Sequence, residues 1–165
     1  GEFYAVDLEG KLLWEKHTGP VESSPAYFEN ILYFGTLDHK VLALQADTGD
    51  TIWAFETGGK VISSPAVAYN KIFTGSEDKK IYAIDAITGD KICEIETNGE
   101  IISSPAIANG MLYIGNSGGY IYTLDVNSLN VTKKEIGGKI SSSPAVADGM
   151  LFIASEENGL FAFEL

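Results

Sequence analysis

Apolar residues along this chain fall in short bursts of four to seven positions, each cut off by Gly, Asn, Asp or Pro. The bursts are rich in β-branched and aromatic side chains, the composition of strands on a pleated surface. The run Lys80-Ile81-Tyr82-Ala83-Ile84-Asp85 alternates in the manner of a strand, and Ile52-Trp53-Ala54-Phe55-Glu56 continues it. Alternation at period two puts one face on a core and the other toward water. No segment holds a 3.6-residue period long enough to make a helix. The dipeptides Thr48-Gly49, Thr88-Gly89 and Asn109-Gly110 supply the positive-φ positions that tight hairpins need. The pattern predicts an all-β chain of short strands joined by tight turns.

The bursts recur as a block. Ser-Ser-Pro-Ala stands at Ser23–Ala26, Ser63–Ala66, Ser103–Ala106 and Ser142–Ala145, with steps of 40, 40 and 39 residues. After each anchor comes an apolar segment (Ile31–Gly35, Ile72–Gly75, Met111–Gly115, Met150–Ile153) and then a polar turn. A further strand follows, Leu42–Gln45, Tyr82–Asp85, Tyr122–Asp125 or Phe161–Glu164, and an extra copy of it, Tyr4–Asp7, opens the chain. Thr-Gly-Asp at 48–50 and 88–90 then leads into an outer strand. Proline has no N–H for a ladder, so each Ser-Pro marks a strand start. Four-stranded units of about 40 residues repeated head to tail predict a β-propeller. The expected fold is therefore all-β: one domain over residues 1–165, with about four four-stranded blades anchored at Ser23, Ser63, Ser103 and Ser142. Residues 1–20 supply closing strands.

The stretch Leu42–Ala66, with Trp53 between Thr-Gly-Asp and Ser-Ser-Pro-Ala, resembles the repeat of the pyrroloquinoline-quinone-like β-propellers. The run from Tyr4-Ala5-Val6-Asp7 to Trp14 resembles it as well, and the resemblance covers essentially the whole chain. It implies that Trp14 and Trp53 lie on outer strands and pack between neighbouring blades, a role we prefer to that of a stacking platform for a sugar or quinone. Cys93 and Thr132 stand at the Trp position in the later units, and Ser128-Leu129-Asn130 replaces Thr-Gly-Asp. Ser24, Ser64, Ser104 and Ser143 are expected to cap the turn into the innermost strand.

Charge narrows the function. There are 23 acidic residues against 11 basic ones, for a net charge of −12, and all the basic residues are lysines. A chain without arginine or a basic face does not match nucleic-acid recognition. No apolar run reaches the ~20 residues of a membrane span. Cys93 is alone and reads as a half-buried strand residue, and His17 and His39 sit in unrelated contexts. Some relatives of the resembled family are quinone-dependent dehydrogenases, which clamp the cofactor and a calcium ion. Here there are no adjacent cysteines, no arginine and no Asp/Asn cluster of the kind a hard cation needs. The acids recur at repeat positions such as Asp7, Asp85 and Asp125, which reads as turn chemistry. The expectation is no catalytic residue, no cofactor and no metal site.

What remains is interaction. Departures from the repeat cluster at the hairpin turns, where Asp38, His39, Asp78, Lys79, Tyr120 and Asn158 would face partners. The expected function is a non-catalytic binding or scaffold module with a protein partner, and the resemblance implies a place outside the cytoplasm in the periplasm, at the cell surface or secreted, or in a sensor. The alternatives are a segment of a quinoprotein dehydrogenase and a carbohydrate-binding surface module. The strand count leaves ring closure with three solutions: a four-bladed monomer, a segment of a longer propeller, or two chains forming an eight-bladed ring.

Overall fold

The structure, a computed structural model, describes residues Gly1–Leu165. Seventeen strands and no helix make five antiparallel sheets. A two-stranded sheet, β1 (Glu2–Val6) and β2 (Leu12–His17), opens the chain. Three full blades follow. The first is β3 (Ala26–Phe28), β4 (Ile31–Gly35), β5 (Lys40–Gln45) and β6 (Thr51–Glu56). The second is β7 (Ala66–Ala68), β8 (Lys71–Gly75), β9 (Lys80–Asp85) and β10 (Lys91–Glu96), and the third is β11 (Ala106–Ala108), β12 (Met111–Gly115), β13 (Tyr120–Asp125) and β14 (Val131–Glu135). A three-stranded blade, β15 (Ala145–Ala147), β16 (Met150–Ser155) and β17 (Gly159–Glu164), ends the chain. These are the blades of a propeller, with innermost strands β3, β7, β11 and β15 side by side. The sheet β1–β2 pairs with no strand of the last blade, and the arc is open.

The core lies between blades. One apolar cluster joins Tyr33, Val41 and Trp53 of the first blade to Ile72, Tyr82 and Ile84 of the second. A second joins Phe73 and Ile81 to Leu112, Ile114 and Leu124, and a third joins Tyr113 and Ile121 to Leu151 and Ile153. Each full blade therefore buries both faces against its neighbours, which is why the middle strands β5 and β9 are apolar at nearly every position and not at alternate ones.

A bulge places each tryptophan. In the first blade Ala43 faces Trp53 and Leu44 faces Thr51, so Ile52 is an extra residue in the outer strand. Ala5 faces Trp14 with the same slip, and Ala83 faces Cys93 likewise. The third blade has no slip: Thr123 faces Thr132 and Leu124 faces Val131. The short step of 39 residues between the last two anchors is this missing bulge residue.

Candidate interaction face

Two faces of the arc are built differently. On one, each turn between the third and fourth strands is tied to the turn between the first and second by Ala46 N–H to Asn30 C=O, Ala86 N–H to Asn70 C=O and Val126 N–H to Gly110 C=O. Here the recurring acids act as turn clips. Asp85 Oδ1 accepts the N–H groups of Ile87 and Thr88, Asp125 Oδ1 those of Asn127 and Ser128, and Asp7 Oδ1 those of Glu9 and Lys11. These bonds to Thr88 and Ile87 hold the Asp85 carboxyl below its ordinary pKa, and those to Ser128 and Asn127 do the same for Asp125. No group of three or more His, Cys, Asp or Glu side chains converges as a metal site would require.

The opposite face carries the hairpins between second and third strands and the linkers that lead to the next blade. His39 and Lys79 occupy the left-handed region at φ 65° and 71°. Their carbonyls are turned to the linkers, where Thr57 and Thr97 donate to them through both N–H and hydroxyl. The side chains of His39 and Lys79 are left exposed, together with Asp38 and Asn158. Asn158 Nδ2 donates to the Ile136 carbonyl at 3.0 Å. Tyr120 donates its hydroxyl to Glu135 at 2.9 Å under the Lys133 ammonium, and the Glu135 bond raises its pKa.

Asp78 is the most committed of the six residues singled out in the sequence. Its carboxylate accepts the Gly58 N–H at 2.7 Å, the Tyr82 hydroxyl at 2.6 Å and the Lys80 N–H at 3.0 Å. It thereby clasps the linker of the first blade to the hairpin of the second. Burial, then the hydrogen bond to Asp78, pushes the Tyr82 hydroxyl well above its ordinary pKa. The structure thus gathers Asp38, His39, Lys79 and Asn158 on one face with exposed side chains, and gives Asp78, Tyr120 and Asn158 side-chain bonds within the protein.

The two serines of each anchor divide their work, and the capping role expected of the second serine is replaced. The first serine clamps the innermost strand to the second strand of its own blade: Ser23 Oγ accepts the Gly35 N–H at 2.8 Å, and Ser63 and Ser142 repeat the bond with Gly75 and Ala154. The second serine links blades. Ser24 N–H donates to Ser64 Oγ at 2.8 Å, Ser64 N–H to Ser104 Oγ at 2.9 Å, and Ser104 N–H to Ser143 Oγ at 3.0 Å.

Both tryptophans pack between blades, with Trp14 Nε1–H on the Ala46 carbonyl and Trp53 Nε1–H on the Ala86 carbonyl. At the fourth junction Thr132 leaves the equivalent space open. A groove of about 420 Å³ runs there, lined by Tyr113, Ile121, Thr123, Leu151, Phe163 and Leu165 among others, with the Lys134 ammonium 4.2 Å from the Phe163 ring. The sequence marked the missing tryptophan. The groove itself is lined from β12, β13, β14, β16 and β17 and the residue that follows β17, and is visible only in three dimensions.

A family model described as outer membrane protein assembly factor BamB matches residues 1–128. No curated protein matches the chain. Among solved structures, BamB from Moraxella catarrhalis overlays with a TM-score of 0.83 at 22% identity, over 94% of this chain and 50% of that one. The computationally designed Ika8 protein gives 0.82 at 15% identity, again over 94% and 50%, and the designed Ika4 protein 0.79 at 14%, over 91% and 94%. The chain spans half the length of the first two, and at these identities the likeness is one of fold.

Proposed function

This chain belongs to the family of pyrroloquinoline-quinone-like repeat propellers described as the outer membrane protein assembly factor BamB, and from that premise we propose that it is a non-catalytic scaffold that binds protein partners outside the cytoplasm. The observation that carries the reading is the division of labour between the two faces. On the hairpin face the His39 and Lys79 carbonyls accept from Thr57 and Thr97, tying each hairpin to the linker that leaves its own blade, and Asn158 is tied to the Ile136 carbonyl, so these exposed side chains and the neighbouring Asp38 stand on a rigid frame. Variable side chains on rigid loops are a recognition surface. Catalysis finds less support. The acids sit in turn clips, Cys93 is held above its ordinary pKa by burial, and no base stands beside it. Assembly of outer-membrane proteins, the role in the family description, is the setting we propose for the partner.

The test pairs a direct binding assay with a face swap. A partner from a cell-envelope extract is identified by cross-linking, purified, and titrated against two variants. One carries Asp38→Ala, His39→Ala, Lys79→Ala and Asn158→Ala, and the other carries Asp47→Ala, Asp90→Ala and Asn127→Ala on the opposite face. The reading expects the first to weaken binding at least tenfold and the second to leave it unchanged. Equal losses from both, or calcium-dependent binding of the quinone with alcohol oxidation, would contradict it.

A further inference from the structure

The third full blade departs from the first two at three neighbouring positions, and the departures combine. The turn into the outer strand reads Thr48-Gly49-Asp50 and Thr88-Gly89-Asp90 in the first two, and Ser128-Leu129-Asn130 in the third. An amide at Asn130 thus replaces the carboxylates of Asp50 and Asp90. A hydroxyl residue, Thr132, stands where Trp53 and Cys93 stand in the other two. The bulge residue between these positions, Ile52 or Ile92, is missing. Asp50 lies three residues before Trp53 and Asp90 three before Cys93, but Asn130 lies two before Thr132. The outcome is Asn130-Val131-Thr132, an asparagine with a hydroxyl residue at the second place after it and no proline between. Of the eight asparagines in the chain only Asn130 has this setting. Restoring the acid, the bulge residue or the tryptophan would each abolish it.

The structure leaves the Asn130 amide free. Asp50 Oδ2 accepts the Thr48 hydroxyl at 2.7 Å and Asp90 Oδ2 the Thr88 hydroxyl at 2.8 Å, which folds those side chains back on their own turns. The Asn130 side chain makes no hydrogen bond, and only its backbone is engaged, with the Asp125 N–H on its carbonyl at 3.0 Å and its own N–H on Ser128 Oγ at 3.4 Å. The turn holds without the amide, because the Leu129 N–H bonds to the Asp125 carbonyl at 2.8 Å and Asp125 Oδ1 accepts from Asn127 and Ser128. Asn130 is exposed, as are Ser128 and Val131. It stands at the head of β14, the outermost strand of a complete blade, as Asp50 and Asp90 do for β6 and β10.

We infer that Asn130 is the acceptor of an N-linked glycan, donated by a lipid-linked oligosaccharide outside the cytoplasm. Asn130 Nδ2 attacks the anomeric carbon of the first sugar. The bond from that carbon to the lipid pyrophosphate breaks, the pyrophosphate leaves with the electron pair, and one amide proton is lost. No oxidant or reductant is needed. The Thr132 hydroxyl marks the segment for the transferase. The inference rests on the extracytoplasmic part of the scaffold reading and adds a modification to it. The turn from Asp125 to Asn130 belongs to the face of the turn clips, so the glycan stands on that face and leaves the hairpin face open to a partner.

The test is peptide mass spectrometry on the full chain purified from its own cells, which are first separated into envelope and cytoplasmic fractions. Lysine-specific cleavage releases the segment Ile92–Lys133. From the envelope fraction this segment is expected to carry the extra mass of whole sugar units, placed on Asn130 by fragmentation. Thr132→Ser is expected to keep the addition, and Asn130→Gln and Thr132→Ala to lose it, all with unchanged far-ultraviolet circular dichroism. A segment at the mass of the bare sequence in the envelope fraction overturns the inference, as does an addition that survives Thr132→Ala. A chain confined to the cytoplasmic fraction overturns the location on which the inference rests, and the fractionation reports that failure separately. None of these readouts involves a partner, so they stand apart from the titration of the hairpin face.

Discussion

Trp53 lies flat against Gly89 of the next blade, so close that a Cβ on that glycine would come within 2.7 Å of the indole. Gly89 sits at φ 77°, and its conformation and its missing side chain both serve the ring. Trp14 and Gly49 repeat the arrangement one blade earlier. At the third junction both partners change together: Cys93 replaces the tryptophan, and Leu129, at φ 60°, replaces the glycine. Cys93 and Leu129 pack on the same apolar cluster, so the leucine fills space that an indole fills elsewhere.

That coupling makes a double-mutant cycle informative. Cys93→Trp alone is expected to destabilise, because the indole and Leu129 compete for one space, and overpacking costs about 1–3 kcal/mol. Cys93→Trp with Leu129→Gly is expected to recover the loss, since the glycine also relieves left-handed strain of about 1–2 kcal/mol. Urea denaturation of the four proteins checks this. Simple additivity would mean that the two residues do not share the space.

Trp53→Ala removes a buried indole and leaves the Ala86 carbonyl with one donor, the Tyr33 hydroxyl. The expected loss is about 3–5 kcal/mol, measured by urea denaturation.

The groove beside Thr132 is the same site with neither filler. Thr132→Trp combined with Thr123→Ala restores the pair found at Trp53 and Ala43. A gain of about 1 kcal/mol is expected, with a raised Tm in calorimetry, as for other cavity-filling changes.

Acid sensitivity follows from the turn clips. Backbone bonds hold Asp85 and Asp125 below their ordinary value of 3.8, and Lys80 with Lys91 holds Glu94 down to about 2. A depressed carboxylate contributes stability above its unfolded pKa and loses it as pH falls through the folded one. Stability is therefore expected to fall from about pH 4.5 down to about pH 2 as these groups protonate. The variant Asp85→Asn with Asp125→Asn should show a flatter fall in urea midpoints over that window.

Burial raises the Cys93 thiol above its ordinary pKa, so thiolate is scarce at neutral pH. Reaction with a disulfide reagent is expected to be slower than for an unfolded control and to accelerate only above the usual thiol range.

Sequence periodicity carries the fold because every blade repeats the same constraint. The Trp positions, the Thr-Gly-Asp turns and the shortened last step are all legible at Trp53, Gly89 and Thr132 before any coordinates. What the chain does not show is direction in space. Ser23 and Ser24 are identical neighbours, yet one bonds within its blade and the other across to the next. Asp78 reads as a loop acid like Asp38, but its side chain turns inward to Gly58 and Tyr82. Leu129 reads as a lapse in a turn motif until the vacated indole beside it is seen.

The most direct test of the hairpin face as the recognition surface is lysine footprinting of the bound complex. Lys60, Lys79 and Lys139 lie on that face, and Lys11, Lys71 and Lys91 on the other. The account predicts that a bound partner protects the first three from acetylation and leaves the second three reactive. Protection of Lys11, Lys71 and Lys91 instead would place recognition on the clipped turns and contradict it.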